Sequence, residues 1–371
     1  MGPGEKPVKL QKRRFEQAGY TELDRLEEVG RDDNSYMVKL IFKPTSPLVS
    51  INVSSPSHFA SQNYELRHNS QGDVGDSFVS VDISGKNVET IPIYLYRHAH
   101  EIVSLNLSKN RPFDLPSDFV QGCASLRALT LCHMGLKRIP QAVRECFSLT
   151  YLDLSDNHVV ELEHIALDRV AGLASLQCRN NRLWQLPAYF STFEHLKFIN
   201  LSNNRLDTIP AVVCEIHALV ELDVSFNTIT TVPAEIGQLF NLERIILLAN
   251  TITSLPPSLR ALVRLKELDC RRNSEWGVAD RPPTYRTDRS STYSDLSDLS
   301  AISGIPRLEI LRCEFNQASA LDANWAHLRV LSASNNSITR FALSGTSRTL
   351  TSLDLSHAKL SSLATNMVRL L

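Results

Sequence analysis

The sequence predicts an α/β-type solenoid, a horseshoe with short parallel strands on its concave face, and three observations lead there. Two apolar residues separated by one, with an asparagine three positions further on, recur down the chain, as in Leu152, Leu154 and Asn157, and again in Ile199, Leu201 and Asn204. Counted by the second apolar residue, the unit falls at Ile83, Leu107, Leu131, Leu154, Cys178, Leu201, Val224, Leu247 and Cys270, then at Cys313, Ala333 and Leu355, and the first eight spacings are 23 or 24 residues. Further apolar positions ending in proline complete each unit: Leu183, Leu206, Ile229 and Ile252, then Leu186, Ile209, Val232 and Leu255, followed by Pro187, Pro210, Pro233 and Pro256.

Each residue type has a physical role. Apolar residues two apart on a strand share a face, so both point inward while the residue between them points out. The asparagine amide supplies donors and an acceptor to backbone groups that no long sheet ladder serves. Proline, lacking an N–H, stops strand extension and sets the turn on the convex side. A buried Leu or Ile contributes roughly 1.5–3 kcal/mol, but only once a neighbouring unit covers it, so the array stabilises as a stack. A period of this length with this pattern is the leucine-rich repeat. About twelve repeats are expected over residues 78–371, and Lys86, Met134 and Ala358 replace the asparagine in three of them, which should loosen those turns.

Residues 1–43 do not share the period. Lys9–Gln17 reads as a basic helix ending near Gly19, and Tyr36–Phe42 alternates as a strand before Pro44. A helix and one strand cannot bury a core alone, so this segment is either the C-terminal remnant of an upstream domain or an N-terminal cap on the first repeat. Asp24, Glu27, Glu28, Asp32 and Asp33 read as a solvated face. Residues 44–77, rich in Ser, Asn, Pro and Gly, read as a linker. Between Cys270 and Cys313 the spacing widens to 43, one repeat plus about 20 residues, and the polar, Pro-containing stretch near 274–293 is expected to leave the solenoid as a flexible loop whose Ser and Thr beside Arg could be phosphorylated. The chain stops at Leu371 where another repeat would begin, so a fragment of a longer protein is expected.

The chain has 371 residues, a net charge of -1 and 43% hydrophobic residues, a folded composition that gives no support to a nucleic-acid or acidic-membrane role. No apolar run approaches the roughly 18 residues a spanning helix needs. Seven cysteines stand singly, with none of the disulfide-bonded end caps of extracellular repeat proteins, which points to a reducing, cytoplasmic setting. Cys178, Cys270 and Cys313 occupy inward positions as small hydrophobes. No nucleotide-binding, zinc-protease, hydrolase or kinase motif is found, so no catalytic, cofactor or metal residue is assigned. His98 and His100 could share one side of a strand, but no third ligand follows, and a solvated loop is the simpler reading.

The informative surface is the concave one, where outward residues of successive strands stack about 4.7–4.9 Å apart. Read by repeat, it presents Tyr151 and Asp153; Arg179; Phe198; Glu221, Asp223 and Phe226; Arg244, Ile246, Leu248 and Ala249; Asp269 and Arg271. Phe198, Phe226, Ile246 and Leu248 form an apolar centre and the charged residues its rim, the anatomy of a protein interface. Alternatively these apolar residues merely lengthen the strands beneath an intramolecular neighbour.

The segments Val88–Pro92, Ala99–Asn106, Leu167–Leu176 with Asn181–Leu183, Leu222–Asn227 and Gly304–Glu309 resemble the regulatory leucine-rich repeats of fungal adenylate cyclases, and Gln11–Phe42 resembles the close of the Ras-associating domain that precedes those repeats. The resemblance implies a piece of a signalling enzyme that makes cyclic AMP from ATP in response to Ras-type small GTPases. It implies that the cyclase domain, with its magnesium, lies outside these residues, that this chain is non-catalytic, and that it associates with membranes only peripherally through partners. A stand-alone intracellular repeat scaffold of a Ras-type pathway is the alternative.

Overall fold

The computed structural model describes residues 23–32, 35–42, 52–54, 79–273, 296–343 and 349–360. These fall into two compact units, residues 1–157 and 158–371. The predicted helix at Lys9–Gln17 and the predicted loop near 274–293 lie outside the described residues.

The first unit opens with strand β1 (Leu23–Asp32) paired antiparallel to β2 (Ser35–Phe42). The second of these is the strand expected from the alternation at Tyr36–Phe42. The first was not expected, and carries Asp24, Glu27, Glu28 and Asp32 of the acidic run. Register shifts between Leu23 and Arg25 and between Glu28 and Gly30 interrupt the period of two that a strand normally writes into its sequence. Strand β3 (Asn52–Ser54) lies inside the stretch read as a linker and pairs antiparallel with both β2 and β4 (Val79–Asp82). β4 pairs parallel with β5 (Ile102–Asn106), which is followed in parallel by β6 (Ala128–Thr130) and β7 (Tyr151–Asp153). Strand β4 is therefore where direction changes, and the antiparallel strands satisfy backbone groups that an exposed edge would leave open.

In the second unit β8 (Ser175–Gln177), β9 (Phe198–Asn200), β10 (Glu221–Asp223), β11 (Arg244–Ile246), β12 (Glu267–Asp269) and β13 (Ile310–Arg312) form a parallel ladder. β15 (Val330–Ser332) and β17 (Ser352–Asp354) continue it, while β14 (Ala320–Ala323) and β16 (Arg340–Leu343) pair separately with each other. Glu267 pairs with Ile310 and Asp269 with Arg312, so the wide spacing before Cys313 leaves the ladder in register. The twelve strands β4–β13, β15 and β17 match the twelve repeats counted in the sequence.

The return side is built from short turns. Two α-helices, α1 (Ile93–Arg97) and α2 (Ser117–Gly122), serve the early repeats, and later ones use one turn of 3₁₀ helix, such as Ala211–Glu215 or Ala234–Gln238. Pro187, Pro210 and Pro233 stand immediately before such turns with φ of -63, -57 and -67°, values the pyrrolidine ring fixes in advance. The second apolar positions from Ile83 to Ala333 are at most 1% exposed, and Leu183, Leu206, Ile229 and Ile252 are fully buried.

The buried asparagines knit each repeat to the one before. Asn204 donates to the carbonyls of Cys178, Leu201 and Ser202 at 2.9, 3.0 and 3.2 Å, and its Oδ1 accepts the Leu183 amide at 2.9 Å. Asn227, Asn250 and Asn273 repeat the pattern one turn on. Where the asparagine is missing, the next one reaches back: Asn110 accepts from both Lys86 and Val88, and Asn157 from both Met134 and Leu136. Met134 itself is buried, filling its inward position as an apolar side chain.

A candidate protein-binding face

Two rows of side chains line the strand face of the second unit. Pairing places Ser175, Phe198, Glu221, Arg244, Glu267 and Ile310 side by side in one row, and Gln177, Asn200, Asp223, Ile246, Asp269 and Arg312 in the next. Of the residues predicted here, Phe198, Glu221, Asp223, Arg244, Ile246 and Asp269 thus come together on neighbouring strands. Tyr151 and Asp153 belong to the first unit, where the tyrosine hydroxyl donates to the Asp153 carboxylate at 3.2 Å.

The charges are largely matched within the protein. Arg244 lies 3.4 Å from Glu221 and 3.1 Å from Glu267, Glu267 also meets Arg312, and Arg271 folds back on Asp269 at 2.6 Å with Glu314 at 3.9 Å. Arg312 and Glu314 were missed in the sequence because they stand beyond the wide spacing; the inward position of Cys313 between them was the signal that placed them on this face. Burial pushes the Glu221 carboxyl above its usual range, with Arg244 pulling the other way. Burial likewise raises Glu314, against its hydrogen bonds and the nearby arginines.

The aspartates have a structural task that the prediction of a binding rim overlooked. Asp223 Oδ1 accepts the Ser225 amide at 2.9 Å and hydroxyl at 2.6 Å, closing the turn at the end of β10, and Asn200 does the same for Ser202 at 2.9 and 2.7 Å. Asp153 and Asp269 accept the amides of Ser155 and Arg271 in the same manner. Such side-chain turns are what short Asp and Asn side chains form readily. Asp269 is accordingly buried.

Phe226 departs from the expected geometry. It does not lie on the strand but three residues past its end, in the left-handed region with φ 55°. Every repeat adopts this conformation two residues past its second apolar position: Gly85, Lys109, His133, Asp156, Asn180, Asn203, Phe226, Ala249, Arg272, Phe315, Asn335 and His357. Left-handed backbone suits Gly, Asn and Asp and penalises a bulky side chain. Phe226 is nevertheless 45% exposed, and Phe315, over whose ring Arg272 stands at 5.2 Å, is 42% exposed. Ala249, expected to face outward, is buried instead: in the same backbone conformation its single methyl does not reach beyond its neighbours as the Phe226 ring does. Phe198, Ile246 and Leu248 are half-buried, and Arg179 is exposed.

The patch therefore consists of Phe198, Ile246, Leu248 and Phe226 on and beside three consecutive strands, bounded by the ion pairs of Arg244 and Arg271. It offers shape, apolar area and fixed charge, the requirements of macromolecular recognition. Among the described residues no group of three or more His, Cys, Asp or Glu could hold a metal, and no helix is long and apolar enough to cross a membrane. His98 and His100 sit beside Glu101 at 3.4 and 3.7 Å in the turn before β5.

Comparison with known proteins agrees with the fold. The family described as "Leucine rich repeat" matches residues 100–159 and 171–229, a second leucine-rich repeat family matches 346–362, and the "PHLPP protein RA domain" matches 1–42. Over parts of its length the chain is homologous to fungal adenylate cyclases: 46% identical over 144 residues to that of Mycosarcoma maydis, and 35% over 193 residues to that of Podospora anserina. These alignments take in 39% and 52% of this chain but only 5% and 8% of those relatives' length. Among solved structures, the leucine-rich repeat domain of APL1B is 24% identical with a TM-score of 0.58, covering 75% of each chain. The Toll–Spatzle complex of Drosophila gives 20% and 0.57, covering 74% of this chain and 40% of that one. These two structures speak to the fold alone. The chain is a leucine-rich repeat solenoid.

Proposed function

We propose that this chain is the non-catalytic regulatory segment of an adenylate cyclase and that it binds an activated Ras-type small GTPase through the strand face of its second unit. The observation that carries the reading is the apolar patch of Phe198, Phe226, Ile246 and Leu248 within a charged rim on the strand face, with Phe226 exposed and the other three half-buried. Sequence similarity to fungal adenylate cyclases supports the pathway, and the match of residues 1–42 to the PHLPP protein RA domain supports the class of partner. On this reading residues 1–43 close such a domain or cap the first repeat, ATP turnover and its magnesium belong to sequence outside this chain, and the protein works in the cytoplasm, reaching membranes through its partner.

The decisive experiment is capture of purified Ras-type GTPase, loaded with GTP or with GDP, by the immobilised chain. Retention of the GTP form alone is expected, and equal retention or none overturns the reading. Binding energy in such interfaces concentrates in a few anchors, so Phe226→Ala and Ile246→Ala should each weaken capture by about 1–3 kcal/mol. Wild-type binding by both variants would move the partner to another face.

A further inference from the structure

The flank that leads into the strands changes character along the second unit. Four residues ahead of each strand stand Glu194 before β9 and His217 before β10, then Phe240, Val263, Pro306 and Ala326 before β11, β12, β13 and β15. All six are exposed, Phe240 at 55% and Val263 at 50%. The strands pair in register, so these residues form one line across neighbouring repeats. Two residues further back, Thr192 and Glu215 give way to exposed Ala261 and Gly304 before β12 and β13. The earlier repeats show that this turn accepts polar and charged side chains, so the solenoid itself does not call for the apolar line. Contiguous exposed apolar area of this kind marks an interaction site.

A second line runs beside the first. Three residues ahead of the strands stand Asn241, Arg264, Arg307 and His327. Elsewhere this position ties a repeat to the one before: Ser148 Oγ donates to the Ala124 carbonyl at 2.8 Å, and Asn241 Nδ2 to the His217 carbonyl at 2.9 Å. Arg264 and Arg307 forgo that bond, and among the described residues neither side chain has an ion pair or hydrogen bond. The carboxylates of the same block are engaged elsewhere, Glu243 with Lys266 at 2.7 Å and Glu309 with Arg329 at 3.8 Å. Two guanidinium groups are therefore left on adjoining repeats, and like charges placed side by side oppose one another until an anion joins them.

We infer that this flank docks an acidic protein segment whose carboxylates meet Arg264 and Arg307 while its apolar residues lie along Phe240, Val263 and Pro306. From Phe240 to Ala326 the line crosses four repeats, about 15 Å at strand spacing, which matches about ten residues of helix. Charge selects the partner: a neutral apolar segment would cover both guanidinium groups without pairing them, and a basic one would be repelled. The surface is separate from the strand face, where Arg244, Arg271 and Arg312 are already matched by carboxylates, and it does not depend on the GTPase reading.

A displayed library of random peptides, selected on the whole chain, tests it. Enriched peptides are measured against wild type and two double variants, Arg264→Ser with Arg307→Ser, and Phe240→Ser with Val263→Ser. Serine fills the arginine position in the repeat of β7, and polar residues fill the other before β9 and β10, so both proteins should keep the fold, checked by an unchanged circular dichroism spectrum and urea midpoint. Expected are peptides with carboxylates among apolar residues that lose at least about tenfold in affinity for each double variant. They should bind Arg205→Ser, which removes an exposed arginine past the other end of the strands, like wild type. A selection that yields no acidic peptide sensitive to both double variants, or an equal loss with Arg205→Ser, overturns the inference. Sedimentation of the chain with phosphatidylserine vesicles that depends on Arg264 and Arg307, with no acidic peptide enriched, gives the flank to a lipid surface and overturns it too.

Discussion

The asparagine ladder makes a prediction that depends on which carbonyls share donors. Asn204→Ala strips the Leu183 amide of its acceptor and removes one donor from each of the Cys178, Leu201 and Ser202 carbonyls. Those carbonyls stay occupied: Asn181 reaches Cys178 at 3.1 Å, Asn227 reaches Leu201 at 3.0 Å, and the Asn180 amide reaches Ser202 at 2.9 Å. Only one buried group is orphaned, which costs about 1–3 kcal/mol, and the weakened second bonds bring the total to about 2–4 kcal/mol. Asn227→Ala has the same consequences one turn on, orphaning the Leu206 amide. The two changes made together differ from their sum, because Leu201 then loses both donors and becomes a second kind of orphan. The double variant should exceed the sum of the singles by about 1–2 kcal/mol, while Asn204→Ala combined with Asn316→Ala, which share no carbonyl, should be additive. Urea unfolding followed by circular dichroism measures all six proteins, the wild type, three single variants and two double variants. Additivity of the adjacent pair within about 0.5 kcal/mol refutes the shared-carbonyl account.

Three further outcomes follow from other parts of the fold. A Cβ added at Gly237 would meet the Ser258 carbonyl oxygen at 2.7 Å on the next turn, so Gly237→Ala should cost about 1–3 kcal/mol in the same urea assay. Phe226→Asn places a residue suited to left-handed backbone where a bulky one now stands, and should stabilise the chain by about 1 kcal/mol while weakening GTPase capture. Burial raises the Asp223 carboxyl above its usual range despite its bonds to Ser225, so the native state holds that proton more firmly than the unfolded one. Ionisation therefore withdraws stability as pH rises through the unfolded and then the native value, and Asp223→Asn should gain on wild type from acid to neutral pH, with an unchanged or shrinking gap counting against the burial.

The repeat period revealed which residues face inward, because a 23-residue unit with fixed apolar positions leaves little freedom: Leu201, Val224, Leu247 and even Cys270 and Cys313 sit where the pattern put them. It was silent where backbone direction is set by something other than alternation. The bulges of β1 erase the period-two pattern, so an acidic run concealed a strand, and three residues of β3 were too few to rise above their polar surroundings. On the candidate face, reading every outward position as strand missed the left-handed residue beyond each strand. That residue carries Phe226 to the edge of the patch and leaves Ala249 buried, because at the same place in their repeats the ring is long enough to emerge and the methyl is not. Asp223 and Asp269 looked alike in sequence. One is held by Arg271 and the other by a serine alone, a difference decided by the residue two positions on, arginine in one repeat and serine in the other.

Phe226 and Asp223 belong to the same repeat; Phe226 opposes its stability through left-handed backbone on a bulky residue, whereas the half-buried Asp223 lies in the field of Arg244 and closes its turn as Asp153 does. The preceding repeat shows that the architecture does not demand the phenylalanine, since Asn203 fills its position one turn earlier. That cost, with a cheaper solution in the adjacent repeat, falls beside the half-buried apolar residues Ile246 and Leu248. Such a cost is what a binding site produces, where stability is given up for contacts the free chain does not make.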